Sequence, residues 1–106
     1  MNVIEITDAS FETIIKNTNK VVAIDFGAEW CPPCKAMVPV MGLVAQALQD
    51  QAIIAKLDVD ANPETTAKYG VRNLPTFLFF KDGTLVDKVV GAVPRSILEQ
   101  KIRSLV

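Results

Sequence analysis

The chain has 106 residues, of which 50% are hydrophobic, and its 11 basic and 12 acidic residues leave a net charge of −1. This is the size and composition of a globular protein, and we predict a single domain over residues 1–106. The chain has no basic run or stripe, so we expect no binding to nucleic acid. It has no histidine, which excludes Ser-His and Cys-His hydrolase pairs and histidine metal ligands. We expect neither a metal nor a cofactor.

The sequence gives no sign of a membrane span or an export signal. Its longest apolar stretch, residues 36–45, is interrupted by Pro39 and Gly42 and is too short to cross a bilayer. The first residues lack the basic start and apolar core of a signal peptide. We therefore expect a cytoplasmic protein that is not attached to a membrane.

Strands and helices are predicted to alternate along the first half of the chain. Residues 3–6 indicate a short strand, and Asp8 or Ser10 is a suitable cap for the helix that follows. The nearly continuous apolar run at residues 21–28 is typical of a buried central strand. Residues 32–48 have helical spacing, and the proline inside that helix should kink it because a backbone hydrogen bond is lost.

The second half begins with a strand predicted at residues 53–59. Asn62-Pro63-Glu64 then indicates a helix start, because it combines a cap residue, a first-turn proline and an acid near the positive end. Gly70 is a matching stop for that helix. The prediction is therefore a third strand followed by a short third helix.

The last elements are a hairpin and a helix. Asp82-Gly83 predicts a tight turn between strands at residues 76–80 and 84–90, and Pro94 suits the first turn of the final helix. The whole order is β-α-β-α-β-α-β-β-α. The early units imply parallel strands with helices on both faces, and the hairpin adds antiparallel strands at one edge. We predict an α/β fold with a mixed sheet.

The two cysteines lie where the second strand ends and the second helix begins. With Cys31 as the helix cap, the free N–H groups and the helix dipole favour its thiolate form. The thiolate is the species that attacks disulfides. Cys31 is therefore the predicted nucleophile, and Cys34, further into the helix and more shielded, is the predicted resolving cysteine.

A Cys pair at this spacing has other uses in proteins. A zinc ribbon needs a second pair or added histidines, and the chain has neither. A metal cluster shared between two chains and a pair of structural thiols are the remaining alternatives. The spacing on a strand-to-helix turn favours redox chemistry over all three.

Several ordered motifs together resemble bacterial thioredoxins over essentially the whole chain. The resemblance implies a mixed sheet of four or five strands flanked by four helices. It also implies protein disulfides as substrates and recycling by an NADPH-dependent thioredoxin reductase, and we expect a monomer. The matching segments are DFGAEWCPPCK at residues 25–35, AKLDVD at 55–60, YGVRNLPT at 69–76, KDG at 81–83 and VGA at 90–92.

Asp25 interrupts an apolar strand, and burial of a carboxyl group favours its protonated form. The resemblance implies that Asp25 passes a proton to or from Cys34. The simpler alternative is a carboxylate that finds a hydrogen bond or pairs with Lys56, which interrupts a later apolar strand in the same way. We assign Asp25 and Lys56 to the catalytic group and favour the proton-transfer role.

The resemblance also implies a shallow groove for an extended client beside the cysteines. It implies a cis peptide bond before Pro75, whereas the sequence alone predicts an ordinary strand-starting proline. Gly91 either keeps the groove shallow or is a loop glycine, and Trp30 is a platform, a packing residue or both. The residues assigned to client binding are Trp30, Pro32, Pro33, Val59, Asn73, Leu74, Pro75, Val90, Gly91 and Ala92.

Three positions depart from the family pattern. Most members have Gly at the position of Pro32, and Pro33 disfavours the helical conformation for the residue before it, so we predict a shifted reduction potential. Gly27 replaces a bulky aromatic residue found in some members and removes packing beneath the active-site helix. Asn73 replaces a frequent Gly and adds a side chain near the client.

The residues are compatible with three functions. The leading one is a general protein-disulfide reductase that carries electrons and maintains cell redox homeostasis. The alternatives are a thiol oxidase or disulfide isomerase on the same fold, and a binding subunit whose thiols are idle. The Pro32-Pro33 pair leaves the oxidase open, whereas the complete set of Cys31, Cys34, Asp25 and Pro75 argues against idle thiols.

Overall fold

The computed structural model describes residues 2–106 and contains the nine elements in the predicted order. Most bounds lie within one residue of the prediction. The strands are β1 (Ile4–Glu5), β2 (Val21–Gly27), β3 (Ala52–Asp58), β4 (Thr76–Lys81) and β5 (Thr84–Val90). The helices are α1 (Phe11–Lys16), α2 (Pro32–Ala47), α3 (Pro63–Lys68) and α4 (Arg95–Leu105).

The strands form one mixed sheet in the order β1-β3-β2-β4-β5. β3 is parallel to both β1 and β2, whereas β4 is antiparallel to β2 and to β5. The α/β fold with a sheet of four or five strands and four helices is thus confirmed, with five strands. The hairpin occupies one edge, which places β2 at the centre with a partner on each side.

The central strand β2 is buried on both faces, and its side chains alternate between two apolar clusters. Val21 and Ala23 pack in the cluster that includes α2 and α4, whereas Val22 and Ile24 pack in the cluster that includes α1. Asp25 follows the first pair and therefore lies on the α2 side. The alternation of one strand thus places this carboxyl on the same side of the sheet as α2.

The caps of α1 and α3 differ from the prediction. Ser10 precedes α1 but its side chain makes no cap hydrogen bond. Asp8 instead caps α3, because its carboxylate accepts the N–H groups of Glu64 at 3.1 Å and Thr65 at 2.9 Å. Asn62 is the residue before α3, as predicted, but its Oδ1 accepts the N–H of Asp8 at 2.8 Å and not a helix amide. The prediction was wrong because local sequence cannot show a cap supplied by a distant loop.

The turn signals behave as predicted, with one exception. Asp82 and Gly83 have φ angles of 52° and 79°, which a tight hairpin turn requires, and Gly70 ends α3 with φ 62°. Pro94 was expected in the first turn of α4, but it precedes the helix in an extended conformation. No helix within residues 2–106 has the length and hydropathy needed to cross a membrane.

Candidate active site

Cys31 and Cys34 form a disulfide at the start of α2. Their Cα atoms are 5.2 Å apart, and the two residues are 4% and 6% exposed. Cys31 is the residue before the helix, with an extended backbone, and Cys34 lies in the first turn. The predicted positions of the two cysteines at the helix start are therefore observed, but Cys34 is not the more shielded of the two, because both side chains are buried to nearly the same extent.

The cap bond at this helix start uses sulfur as its acceptor. The Cys34 N–H donates to Cys31 Sγ at 3.2 Å. Pro32 and Pro33 have no N–H, so the Cys34 amide is the first donor that the helix can offer, as the sequence predicts. The donor and the positive end of α2 stabilise negative charge on the Cys31 sulfur when the disulfide is reduced.

Asp25 and Lys56 are direct neighbours on β2 and β3, and both lie on the α2 side of the sheet. Asp25 is 7% exposed, and its Oδ1 atom has no hydrogen-bond partner among the described residues. No ion pair with Lys56 is formed within residues 2–106, and the lysine is exposed. The simpler alternative, a carboxylate satisfied by a hydrogen bond or by this lysine, is not what the geometry provides.

Burial raises the pKa of the Asp25 carboxyl from its ordinary value of 3.8 to about 7, and the positive charge of Lys56 opposes part of this effect. The carboxyl therefore exchanges its proton near neutral pH. This is the range in which a group suited to general acid–base chemistry must operate.

Four of the residues expected to form a client groove lie against the cysteines or are bonded to one another. Val59 and Leu74 pack against the cysteine pair. The Leu74-Pro75 bond is cis, as the resemblance implies, and Pro75 is buried. Gly91 donates its N–H to the Pro75 carbonyl at 2.7 Å. Val59 and Leu74 thus contact the cysteines, and Gly91 is joined to the cis bond through Pro75.

Gly91 has φ 93°, and a Cβ atom built there would meet nothing within 4 Å. The glycine is therefore required by backbone conformation rather than by lack of space. The remaining predicted groove residues are all exposed: Trp30, Pro32, Pro33, Asn73, Val90 and Ala92.

Trp30 is 66% exposed, and its indole is held by a residue that the sequence analysis missed. Its Nε1–H donates to Asp60 Oδ2 at 2.6 Å. Asp60 lies in the loop between β3 and α3, a distance of 30 residues along the chain. No local pattern could have identified this contact, because it depends on how β2 and β3 are placed side by side.

A disulfide at a helix start, a sulfur cap and a buried carboxyl on the neighbouring strand define a dithiol–disulfide oxidoreductase. Within the described residues, no group of three or more His, Cys, Asp or Glu side chains could hold a metal ion. The site thus has the elements needed for thiol–disulfide exchange.

Comparisons with known proteins agree. The thioredoxin family profile matches residues 2–104. A thioredoxin of Chlorobaculum thiosulfatiphilum is 45% identical over 98 residues, 92% of this chain and 91% of that protein. A thioredoxin of Porphyra purpurea is 40% identical over 106 residues, 100% and 99% of the two chains. A thioredoxin of Mycobacterium tuberculosis is 43% identical over 103 residues, 97% and 89%.

The chain belongs to the thioredoxin family. It is a protein-disulfide reductase that acts by dithiol–disulfide exchange, with disulfide-containing proteins as clients and a thioredoxin reductase as its recycling partner. Nothing in the site favours the oxidase or isomerase, or the redox-idle subunit.

Proposed function

We propose that the Cys31-Pro32-Pro33-Cys34 segment is the active site and that the two cysteines have different roles. The Cys31 thiolate attacks a client disulfide and forms a mixed disulfide, releasing the first client thiolate. Cys34 then attacks Cys31 Sγ, releasing the second client thiolate and leaving the protein oxidised. The observation that supports this division is the 3.2 Å contact from the Cys34 amide to Cys31 Sγ, because it stabilises charge on Cys31 alone.

Asp25 is proposed to accept the Cys34 proton before that second attack. The carboxyl lies on the same face of the sheet as α2, and burial brings its pKa to about 7, so that both protonation states are populated in neutral solution. Lys56 is proposed to favour the ionised form of Asp25 by its charge. The two residues together would set the pH range of the resolving step.

The groove residues are proposed to hold the client as an extended strand. Leu74 would offer its backbone to the client, Pro75 and Gly91 would form the floor, and Trp30 would cover one end. Val59 and the exposed residues Pro32, Pro33, Asn73, Val90 and Ala92 would form the rim. The contacts that support this arrangement are the packing of Val59 and Leu74 on the cysteines.

The division of roles is tested by single serine substitutions. Cys34→Ser should accumulate a stable mixed disulfide with insulin, because the client cannot be released. Cys31→Ser should form no such complex, although it retains the other thiol. Non-reducing electrophoresis and mass spectrometry measure both. Equal trapping by the two variants would contradict the assignment.

The role of Asp25 is tested by Asp25→Asn. Resolution of a client mixed disulfide should slow by about tenfold at neutral pH, because a positioned proton acceptor is lost. The matched control is Asp50→Asn, which removes an exposed carboxylate from the turn after α2. An unchanged rate and pH profile for Asp25→Asn would show that Asp25 transfers no proton.

Several broader assignments belong to the same proposal. Residues 1–106 form one domain that is monomeric and cytoplasmic, and it carries electrons from an NADPH-dependent thioredoxin reductase. NADPH consumption by a bacterial thioredoxin reductase in the presence of the protein and insulin tests the electron route. Light scattering after size-exclusion chromatography tests the monomer, and cell fractionation tests the compartment.

A further inference from the structure

A cavity of about 190 Å³ lies where the loop after α3 meets the edge strand β5. Residues 69–73 form one of its walls, and Thr76, Lys88 and Val90 form the other. Arg72 and Lys88 are the charged residues of this lining, which includes no acidic residue from the described chain. The cavity therefore presents two cations without a counter-charge.

The strand wall places Lys88 on the side of the sheet that faces α1. Thr76 pairs with Val90 and Leu78 with Lys88 across β4 and β5, and directly paired residues lie on the same face. Leu78 packs in the apolar cluster that includes α1. Lys88 thus belongs to a regular strand, so the position of its backbone is fixed by the sheet.

The loop wall that carries Arg72 is fixed on both sides of that residue. Val71 packs against the same apolar cluster as Leu78, and the carbonyl of Asn73 accepts a hydrogen bond from the Thr76 hydroxyl. The two walls are therefore joined before any ligand arrives. A preformed site loses less conformational entropy on binding than one that must be ordered.

Neither cation of the cavity is neutralised within residues 2–106, because the ion pairs formed there do not include Arg72 or Lys88. Asp87, the acidic neighbour of Lys88 in sequence, instead pairs with Lys101 at 2.7 Å. Arg72 and Lys88 are both exposed, so an incoming anion can reach them. A guanidinium and an ammonium group together suit a carboxylate.

The position and size of the cavity indicate which anion it takes. Asn73 and Val90 line the cavity and also belong to the proposed rim of the client groove, and Leu74, the next residue, packs against the cysteines. The volume is below the roughly 300–1,000 Å³ of pockets for drug-sized ligands, so it suits one side chain better than a nucleotide. An extended client in the groove could reach it with a neighbouring residue.

We propose that Arg72 and Lys88 bind the carboxylate of an Asp or Glu side chain in the client, close in sequence to the cysteine that Cys31 attacks. This inference rests on the proposed client groove and adds no covalent step to the exchange. The two cations select among clients, because complementary charge speeds encounter and fixes the register of the bound segment. Clients with an acidic residue at the matching position are reduced faster than their neutral counterparts.

The first experiment uses symmetric disulfide dimers of a one-cysteine peptide with acetylated and amidated ends. Glu is placed at successive positions on either side of the cysteine, and each Glu peptide has a Gln counterpart. The reduced protein is mixed with each dimer, and acid quench with mass spectrometry gives the second-order rate constant. At one position the Glu peptide should react about fivefold faster than the Gln peptide, the size expected for exposed ion pairs.

Protein variants test whether this preference comes from the cavity. Lys88→Gln should bring the Glu-to-Gln rate ratio close to one, and Lys88→Arg should retain it. Lys81→Gln is the matched control, because it removes the same charge from the opposite end of β4, outside the cavity, and should keep the wild-type ratio. Equal ratios in Lys88→Gln and Lys81→Gln would overturn the proposal, and so would a ratio that does not shrink at high salt.

The Gln peptides separate this inference from the proposed function. If the wild-type protein reduces both peptides at equal rates at every position, the acidic subsite is rejected and the exchange chemistry stands. If it reduces neither peptide, the proposed function fails and the subsite fails with it.

The second experiment locates the carboxylate directly. The mixed disulfide trapped by Cys34→Ser with the preferred Glu peptide is treated with a water-soluble carbodiimide, which joins a carboxylate to a lysine amine that it contacts. Peptide mapping should find the new amide at Lys88, and the Gln peptide should form none there. An amide at a different lysine, or none with the Glu peptide, would overturn the proposal.

Discussion

The helices α2 and α3 both begin with proline, yet their N-termini are built differently. The α3 start is capped by the carboxylate of Asp8, which accepts two backbone N–H groups at 3.1 and 2.9 Å. The α2 start is capped by Cys31 Sγ, and the buried carboxyl of Asp25 on the α2 side of the sheet keeps one oxygen without a partner among the described residues. Each oxygen of Asp8 therefore has a backbone donor, whereas Asp25 Oδ1 has none.

The two aspartates show the consequence. The Thr65 and Glu64 hydrogen bonds lower the pKa of Asp8 below its usual value, whereas burial raises the pKa of Asp25 to about 7. The same side chain is therefore a stabilising cap in one place and a buried carboxyl with a raised pKa in the other. The difference indicates that Asp8 stabilises the start of α3, whereas ionisation of Asp25 beside α2 lowers stability.

The largest effect is expected for Asp25→Asn. The folded protein keeps the Asp25 proton up to about pH 7, whereas the unfolded chain loses it near 3.8, so rising pH lowers the free energy of unfolding across that window. Asn cannot ionise. The free energy of unfolding of Asp25→Asn, relative to that of wild type, should therefore increase by about 4 kcal/mol between acid solution and mild alkali. Urea denaturation of the oxidised proteins across this range measures it, and parallel pH curves would contradict the assignment.

Asp8→Asn should act in the opposite direction and less strongly. The pKa of Asp8 is lowered in the folded protein, so its stabilisation is present above the ordinary pKa and is lost as pH falls through the folded one. The variant should unfold more easily than wild type at neutral pH and approach it in acid. Thermal melts at both pH values measure this. A loss of stability that persists in acid would show that the charge is not involved.

A smaller effect is expected for Pro32→Gly. Both α2 and α3 have proline at their first position, but only the first proline of α2, Pro32, lies with Pro33 between the two cysteines. Substitution should shift the reduction potential by about 30 mV for each 1.4 kcal/mol of difference between the disulfide and dithiol forms. Pro63→Gly in α3 is the matched control and should leave the potential unchanged. Equilibration in one redox buffer measures all three proteins, and identical potentials would reject the prediction.

The smallest effect is expected for Asp60→Ala, which removes the contact between the two helix ends. Asp60 lies in the loop before α3 and holds the indole of Trp30 before α2 at 2.6 Å. The bond is exposed, so its loss should cost about 1 kcal/mol at most and slow insulin reduction by about twofold. Trp30 is the only tryptophan, so fluorescence reports its release directly. An unchanged spectrum would show that the indole is held by other contacts.

Much of the fold was predictable from sequence because the relevant signals are local. The run at residues 21–28 predicted the buried strand β2, and Asp82-Gly83 predicted the hairpin from the backbone angles that those residues accept. The start of α2 at Cys31 followed from the two prolines and the cysteine spacing. The helix starts were the weak points: Ser10 and Asn62 make no side-chain cap bond, since the α3 cap comes from the distant Asp8, and Pro94 precedes α4 rather than starting it.

The sequence by itself determined the element order, the redox pair and the family resemblance, because periodicity, turn residues and motif spacing act over short stretches of chain. The tertiary structure alone decided which carboxyls are satisfied. Asp8 reaches α3 across 57 residues and Asp60 reaches Trp30 across 30, while Asp25 Oδ1 has no partner among the described residues and Gly27 places no side chain against Cys34. Hydrogen bonding and burial depend on atoms that only the fold brings together, and these properties set the chemistry at Cys31 and Cys34.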